Sequence, residues 1–301
     1  MKPLRKGSTI LVLLVAISVY SQQSDWKKLD LKDKVKSVEI ISYVAGEKFG
    51  KISKMGILEG EQYQFNENGL VTQKKRYGKQ GLPIDQVTYK YDTLSNLIEQ
   101  NIFDKKGILQ RKILREYNQF NKNTFESVYG PDGTLINRSI LQYKDGIIPQ
   151  KILTFDKKGR QINLKEYIYN KKTEAKSITT TNPKSKIIER AEKYDNRKNL
   201  TNLYEFDVEG NLKSYIRYKY DENNNLIESS YYLDDVLLVK RTLKYNNLGF
   251  LVEVSALYPE KDKKDIITYK YDFDEKSNWI EQVEYVNSIP IRVKERKIVY
   301  Y

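Results

Sequence analysis

Seven aspartates share one recurrent place, directly after an aromatic residue: Asp92, Asp104, Asp156, Asp195, Asp207, Asp221 and Asp274. Stacked on one another, such carboxylates could supply the several oxygen ligands that a hard cation such as calcium needs. Each place offers a single carboxylate, however, and asparagine replaces it at Asn66, Asn118 and Asn246. The better reading is structural, because Asp or Asn at the start of a turn accepts a hydrogen bond from the backbone two residues on. Paired carboxylates for glycoside cleavage must stand about 5–10 Å apart in a pocket. Glu228 with Glu253 and Glu281 with Glu284 are the candidates, and nothing in their surroundings separates them from the charges of a solvated strand.

The chain has no Cys and no His. That removes disulfides, thiolate nucleophiles, Cys or His metal ligands and every imidazole acid–base mechanism. No phosphate loop, dinucleotide fingerprint or nucleophile elbow is present; "YGPDGT" from Tyr129 occupies a turn place. The expectation is a protein that is not an enzyme, with no catalytic, cofactor or metal residue and with its binding residues unassigned. Trp279 stands where other units hold Leu97, Leu212 and Leu226 and is read as core, while Trp26 either anchors the amino-terminal strand or stays exposed. A tyrosine-bearing sheet face is a better binding surface than either tryptophan, since an aromatic ring can cover an apolar neighbour while its hydroxyl stays wet.

These residues are placed by a repeat. An aromatic followed by a turn-forming cluster recurs at Phe65, Tyr77, Tyr91, Phe103, Tyr117, Tyr129, Tyr143, Phe155 and Tyr169, in alternating steps of 12 and 14, so the unit is 26 residues. After a degenerate stretch around "TTTNPKSK" the phase returns at Tyr194, Phe206, Tyr220, Tyr232 and Tyr245, and again at Phe273 and Tyr285. One turn reads "FDKKG", "FDVEG", "FNENG" or "YNNLG", with glycine four residues after the aromatic; a hairpin of this length needs one residue at positive φ near its end. Between turns the residues alternate: in "NLKSYIRYKYD", Leu212, Ser214, Ile216, Tyr218 and Tyr220 fall on one face and Lys213, Tyr215, Arg217 and Lys219 on the other. Period two means half-buried strands. Strands of this length joined by tight turns pair antiparallel with their neighbours, which predicts an all-β meander of about 18 strands, an extended sheet that twists or coils and is open or partly closed.

With "GNLKSYIRYKYD" from Gly210 to Asp221 in view, the sequence resembles the bacterial YD-repeat (Rhs-like) family. Its pattern is Gly-Asn or Gly-Arg-Leu, a strand, then Tyr-x-Tyr-Asp. "YKYDTLSNLIE" keeps Tyr89, Tyr91, Asp92, Asn96 and Leu97, with Ser95 at the glycine place; "YKYDENNNLIE" keeps Tyr218, Tyr220, Asp221, Asn225 and Leu226, with Asn224 there; "YKYDFDEKSNWIEQVEY" matches through Phe273, Asp274, Asn278 and Trp279. The resemblance covers about residues 60–301. It implies antiparallel sheets that can spiral into shells, and among family members this chain is similar to the small secreted ones without a toxin domain.

The amino terminus carries Lys2, Arg5 and Lys6, an apolar run from Thr9 to Tyr20 and then "SQQSDW". This fits a secretory signal peptide over residues 1–21 cleaved after Ser21, the apolar run being shorter than the roughly 20 residues a transmembrane helix needs. The expected location is periplasmic or secreted, with no membrane span in the mature chain. The expected domains are residues 22–60, amino-terminal strands capping the sheet, and residues 61–301, the repeat sheet. Net charge is +13, falling to 50 − 40 = +10 without residues 1–21. Lys and Arg are scattered among Glu and Asp, so nucleic acid is not an expected partner; an envelope glycan or a surface protein is. The expected function is a non-enzymatic binding or scaffold module of the cell envelope. The alternative is a remnant or accessory of a YD-repeat toxin system, as a shell fragment or an immunity-like partner.

Overall fold

The computed structural model describes residues 24–146, 148–170, 175–182, 185–207 and 209–301. The signal peptide expected over residues 1–21, with its cleavage after Ser21, lies outside the described residues. Among those described, one short helix, α1 (Asp25–Lys28), precedes β1 (Val35–Lys48), β2 (Lys51–Phe65), β3 (Val71–Tyr77), β4 (Pro83–Tyr91), β5 (Leu97–Asp104), β6 (Leu109–Tyr117), β7 (Asn123–Tyr129), β8 (Leu135–Lys144), β9 (Ile148–Asp156) and β10 (Gln161–Asn170). There follow β11 (Ala175–Asn182), β12 (Ser185–Tyr194), β13 (Leu200–Phe206), β14 (Leu212–Tyr220), β15 (Leu226–Leu233), β16 (Val236–Tyr245), β17 (Leu251–Tyr258), β18 (Lys263–Phe273), β19 (Trp279–Val286) and β20 (Ile289–Tyr300). The repeat aromatics end these strands, and the degenerate stretch still forms β11 and β12.

Each strand pairs antiparallel with the strand before and the strand after it in the chain. In addition β1 pairs with β20, from Val35 opposite Tyr300 to Val44 opposite Arg292. The predicted antiparallel meander therefore forms, and its ladder returns on itself as a ring. β2, which spans the expected boundary at residue 60, pairs with β1 on one side and β3 on the other.

A cause of the curvature is built into the hairpins. The register slips by one residue just before the closing aromatic, as between Lys90 and Tyr91, Ile102 and Phe103, Glu116 and Tyr117, or Lys219 and Tyr220. Each slip is a bulge that adds to the right-handed twist of its strands. Repeated from hairpin to hairpin, the extra twist coils the sheet until β1 meets β20, which leaves no strand of the described residues without a partner on each side.

The alternation read on β14 separates two environments. Ser214 and Tyr218 are buried, in line with Ser229 of β15, Val239 of β16 and Val254 and Ala256 of β17. Burial pushes Tyr218 and Tyr269 on this face up to about 12. The amino-terminal segment packs on the same side, against Val38, Tyr63, Ile40, Tyr89 and Ile298, so this is the inner face. The outer face carries ion-pair ladders: Lys90–Glu99–Lys112, Lys219–Glu228–Lys240 and Lys244–Glu253. It also carries Tyr215, which stacks on Tyr232 with ring centroids 4.5 Å apart and is thereby buried despite facing outward.

Residues 24–34 form a strap across the inside of one rim. Trp26 Nε1 donates to the Val35 carbonyl at 2.7 Å and its ring tilts against Phe65. Gly69, at φ +76° in the β2–β3 turn, lies under that indole so closely that a Cβ there would stand 2.5 Å from the ring. Trp26 is thus an anchor. Trp279 is core, as its place in the repeat implied: it is buried, edge-on to Tyr271 and covered by the Arg296 guanidinium 3.6 Å from its centroid.

Candidate functional site

The recurrent aspartates lie at the rims, where their oxygens are occupied by the turns themselves. Asp92 Oδ1 accepts from the N–H groups of Leu94 and Asn96, and its Oδ2 from the Asn96 side chain. Asp221 repeats this with Asn223 and Asn225, and Asp207 with Glu209 and Asn211. Hydrogen bonds from the Asn225 side chain and backbone hold the Asp221 carboxyl below its ordinary value. The residue at the glycine place takes positive φ even when it is not glycine, as at Ser95 (φ 67°) and Asn224 (φ 65°). Among the described residues, no three carboxylates gather as a metal site would require.

The tyrosines of the repeat have a second task that their spacing only hinted at. Tyr91 donates its hydroxyl to the Val71 carbonyl, Tyr117 to Leu97, Tyr220 to Leu200, Tyr245 to Leu226 and Tyr271 to Leu251, all at 2.8–2.9 Å. Each of these five tyrosines therefore caps the first residue of the preceding strand. Neighbouring rim turns are also tied sideways, Asn96 to Asn121 and Asn199 to Asn224.

The candidate acid pairs do not converge. Glu281 and Glu284, three residues apart on β19, point to opposite faces: Glu281 binds Lys54, and Glu284 stands 3.8 Å from Arg292. Glu228 and Glu253 share the outer face, but each is held by its own lysines. Glu99 belongs to the same ladders, and a hydrogen bond from the Asn101 side chain, with Lys90 and Lys112, holds its carboxyl at about 2. A carboxylate whose value is depressed on folding contributes stability above its unfolded value of about 4.5, lost as pH falls toward the folded value. Thermal unfolding followed by circular dichroism should show Tm falling between about pH 5 and pH 2, and the fall should shrink in Glu99→Gln. An unchanged profile in that variant would show that this ladder does not contribute.

One site with the form of a binding pocket lies on the inner face beneath the strap. A cavity of about 310 Å³ is lined by Tyr63, Tyr89, Tyr91, Leu70, Val71 and Leu97, with Asp25, Lys28 and Lys74 at its polar side. Its walls come from α1 and from the strand ends of β2 to β5. Asp25 fixes the strap to the wall, accepting from Val71 N–H at 2.7 Å and from Lys28 Nζ at 2.7 Å. Lys74 sits 4.9 Å above the Tyr63 ring and pairs with Glu61 at 2.7 Å; Tyr63 donates its hydroxyl to the other Glu61 oxygen at 2.6 Å. Burial pushes Glu61 up, yet the bonds from Lys74 and Tyr63 outweigh it and leave the group below its ordinary value. Burial raises Tyr63, Tyr89 and Tyr91 as well, so all three hydroxyls stay protonated. Aromatic walls with a few placed polar groups, at this volume, are the usual form of a small-ligand site. The one carboxylate in its lining, Asp25, is already engaged by Val71 and Lys28. The sequence marked Tyr89 and Tyr91 as repeat residues but gave no sign that the strap would roof them.

No protein-family model matches the chain, and no curated protein matches it. Among solved structures, it is similar to a porin-like protein from Bacteroides uniformis at 13% identity and TM-score 0.39, over 89% of this chain and 99% of that one. A porin-like protein from Bacteroides vulgatus aligns at 10% identity and TM-score 0.28, over 89% and 99%. The Photorhabdus luminescens Tc holotoxin pore aligns at 12% identity and TM-score 0.33, over 77% of this chain and 14% of that one. All three TM-scores lie below 0.5, and no function is carried over from them.

Proposed function

We propose that the protein is a non-enzymatic, exported binding module of the cell envelope whose ligand site is the tyrosine-lined pocket under the strap, and that the ligand is a glycan. The observation that carries this is the lining of three tyrosines beside Lys28, Lys74 and Asp25. Tyrosine faces can cover the apolar face of a sugar ring while charged and hydroxyl groups bond its edge. A place in water fits the outer surface: a strand barrel in a bilayer needs an apolar outward band, and the Lys219–Glu228–Lys240 ladder carries charge on that surface from near the rim at Lys219 to mid-strand at Lys240. The closed ring serves as the frame that holds the pocket walls rigid, as a binding site requires.

The test is binding of the purified protein to a set of envelope saccharides, measured by calorimetry, with Tyr89→Ala as the variant. Tyr89 faces the pocket, and its loss should weaken binding about tenfold or more, as loss of a stacking aromatic does. Binding that saturates but is indifferent to Tyr89→Ala would move the site elsewhere, and no binding to any saccharide would overturn the glycan reading.

A further inference from the structure

We propose that the inner face of β20 is an oxyanion-binding stripe, built from Arg292, Lys294 and Arg296 and suited to a carboxylate or phosphate group of a ligand admitted to the ring. The three cations recur at period two, so all leave the same side of the strand, opposite Val44, Ser42 and Ile40 of β1 and beside Glu284 and Gln282 of β19.

Their donors are not used up. Arg296 is 8% exposed, and although its Nη2 donates to the Leu29 carbonyl at 2.7 Å, its Nε and Nη1 have no hydrogen-bond partner. Arg292 Nε also lacks one, because Glu284 and Glu59 both stand off at 3.8 Å. Lys294 makes no ion pair among the described residues; burial, and then Arg292, push its ammonium below its ordinary value against the opposing pull of Glu284 and Glu59. A buried donor without an acceptor is unfavourable, and here three such N–H groups and an ammonium lie along a single strand face. The planar fork of arginine matches the two oxygens of a carboxylate or phosphate. Tyr271 and Gln282, bonded to each other at 2.8 Å, and the buried Ser42 hydroxyl border the stripe at Lys294, while Glu284 and Glu59 stand at its Arg292 end and Asp30 acts on Arg296, so an anion would seat at Lys294, where the bordering groups are neutral.

The stripe is built on β20 and the tyrosine pocket on α1 and β2 to β5, with Arg296 within electrostatic reach of Tyr63, and phosphate, which has no sugar ring to stack, probes the stripe alone. The full protein would be titrated with sodium glucuronate and with inorganic phosphate against chloride at matched ionic strength, reading Kd by calorimetry and Tm by circular dichroism. The expected result is saturable binding and a raised Tm, with Lys294→Gln weakening binding about tenfold or more while its Tm in chloride is unchanged or higher. Lys297→Gln, on the outer face of the same strand opposite Glu39, should bind as the parent does. Glucuronate alone would identify a uronate ligand, phosphate alone a phosphorylated one, and both the shared oxyanion chemistry. Absence of binding, or an equal loss in Lys297→Gln, would overturn the proposal.

Discussion

Val293→Pro is expected to abolish the stable monomer. Val293 is fully buried at the centre of β20, opposite Tyr43 of β1 and Val283 of β19. Proline in a strand with a neighbour on each side removes a ladder hydrogen bond and forces the chain out of register, and the buried carbonyl it strands alone costs about 1–3 kcal/mol. Here the same substitution also opens the seam. β1 and β19 would then present unpaired edges, and exposed edges pair with other chains. Circular dichroism should show a large fall in Tm, and size-exclusion chromatography should show material shifting to associated forms. Val293→Ala keeps the ladder and loses only packing, so it should cost about 2 kcal/mol and remain monomeric. A monomeric Val293→Pro with parental Tm would mean that β1 and β20 do not close the ring.

Asn278→Ala is expected to release the strap, with a loss of about 3–5 kcal/mol. Asn278 has no exposed surface: its Oδ1 accepts from Lys32 N–H at 2.6 Å, and its Nδ2 donates to the Lys32 carbonyl at 2.9 Å and to the Tyr300 hydroxyl at 2.7 Å. The substitution strands both backbone groups of Lys32 and loosens Tyr300, whose hydroxyl also donates to Asp274. Asn225 occupies the same place in its own repeat, yet its side chain only bonds Asp221. Asn225→Ala should therefore cost about 1 kcal/mol. Urea unfolding compares the two variants, and limited proteolysis should cut at Lys27, Lys28 or Lys32 faster in Asn278→Ala alone. Equal effects at the two positions would show that the strap is not held by this asparagine.

These two residues also mark the limit of what local pattern reveals. The turns, the alternation and the 26-residue unit were legible because each depends on residues within a few positions of one another, as Asp221 depends on Asn223 and Asn225. The opposed directions of Glu281 and Glu284 follow from a spacing of three on a strand of period two, so their separation was available to the sequence as well. The seam was not, since it joins residues 35–44 to residues 292–300. Nor was the task that sets Asn278 apart, which depends on Lys32 far back in the chain. The pocket was hidden for a related reason: α1 is a single turn with no periodic signature, and only its contact with Gly69 and Val71 turns Tyr63 and the repeat residues Tyr89 and Tyr91 into walls.

The closed ladder also imposes a counting rule on how such a chain can grow. Successive strands alternate in direction, so the first and last meet antiparallel only when their number is even. Duplicating a whole 26-residue unit adds two strands, widens the circumference by about 10 Å and leaves the seam's polarity intact. Duplicating a single 12- or 14-residue half would bring β1 and β20 together parallel, with every hydrogen bond of the seam to be remade. Lineages that lengthen or shorten this ring should therefore differ by whole units, and ring size should change in steps of two strands.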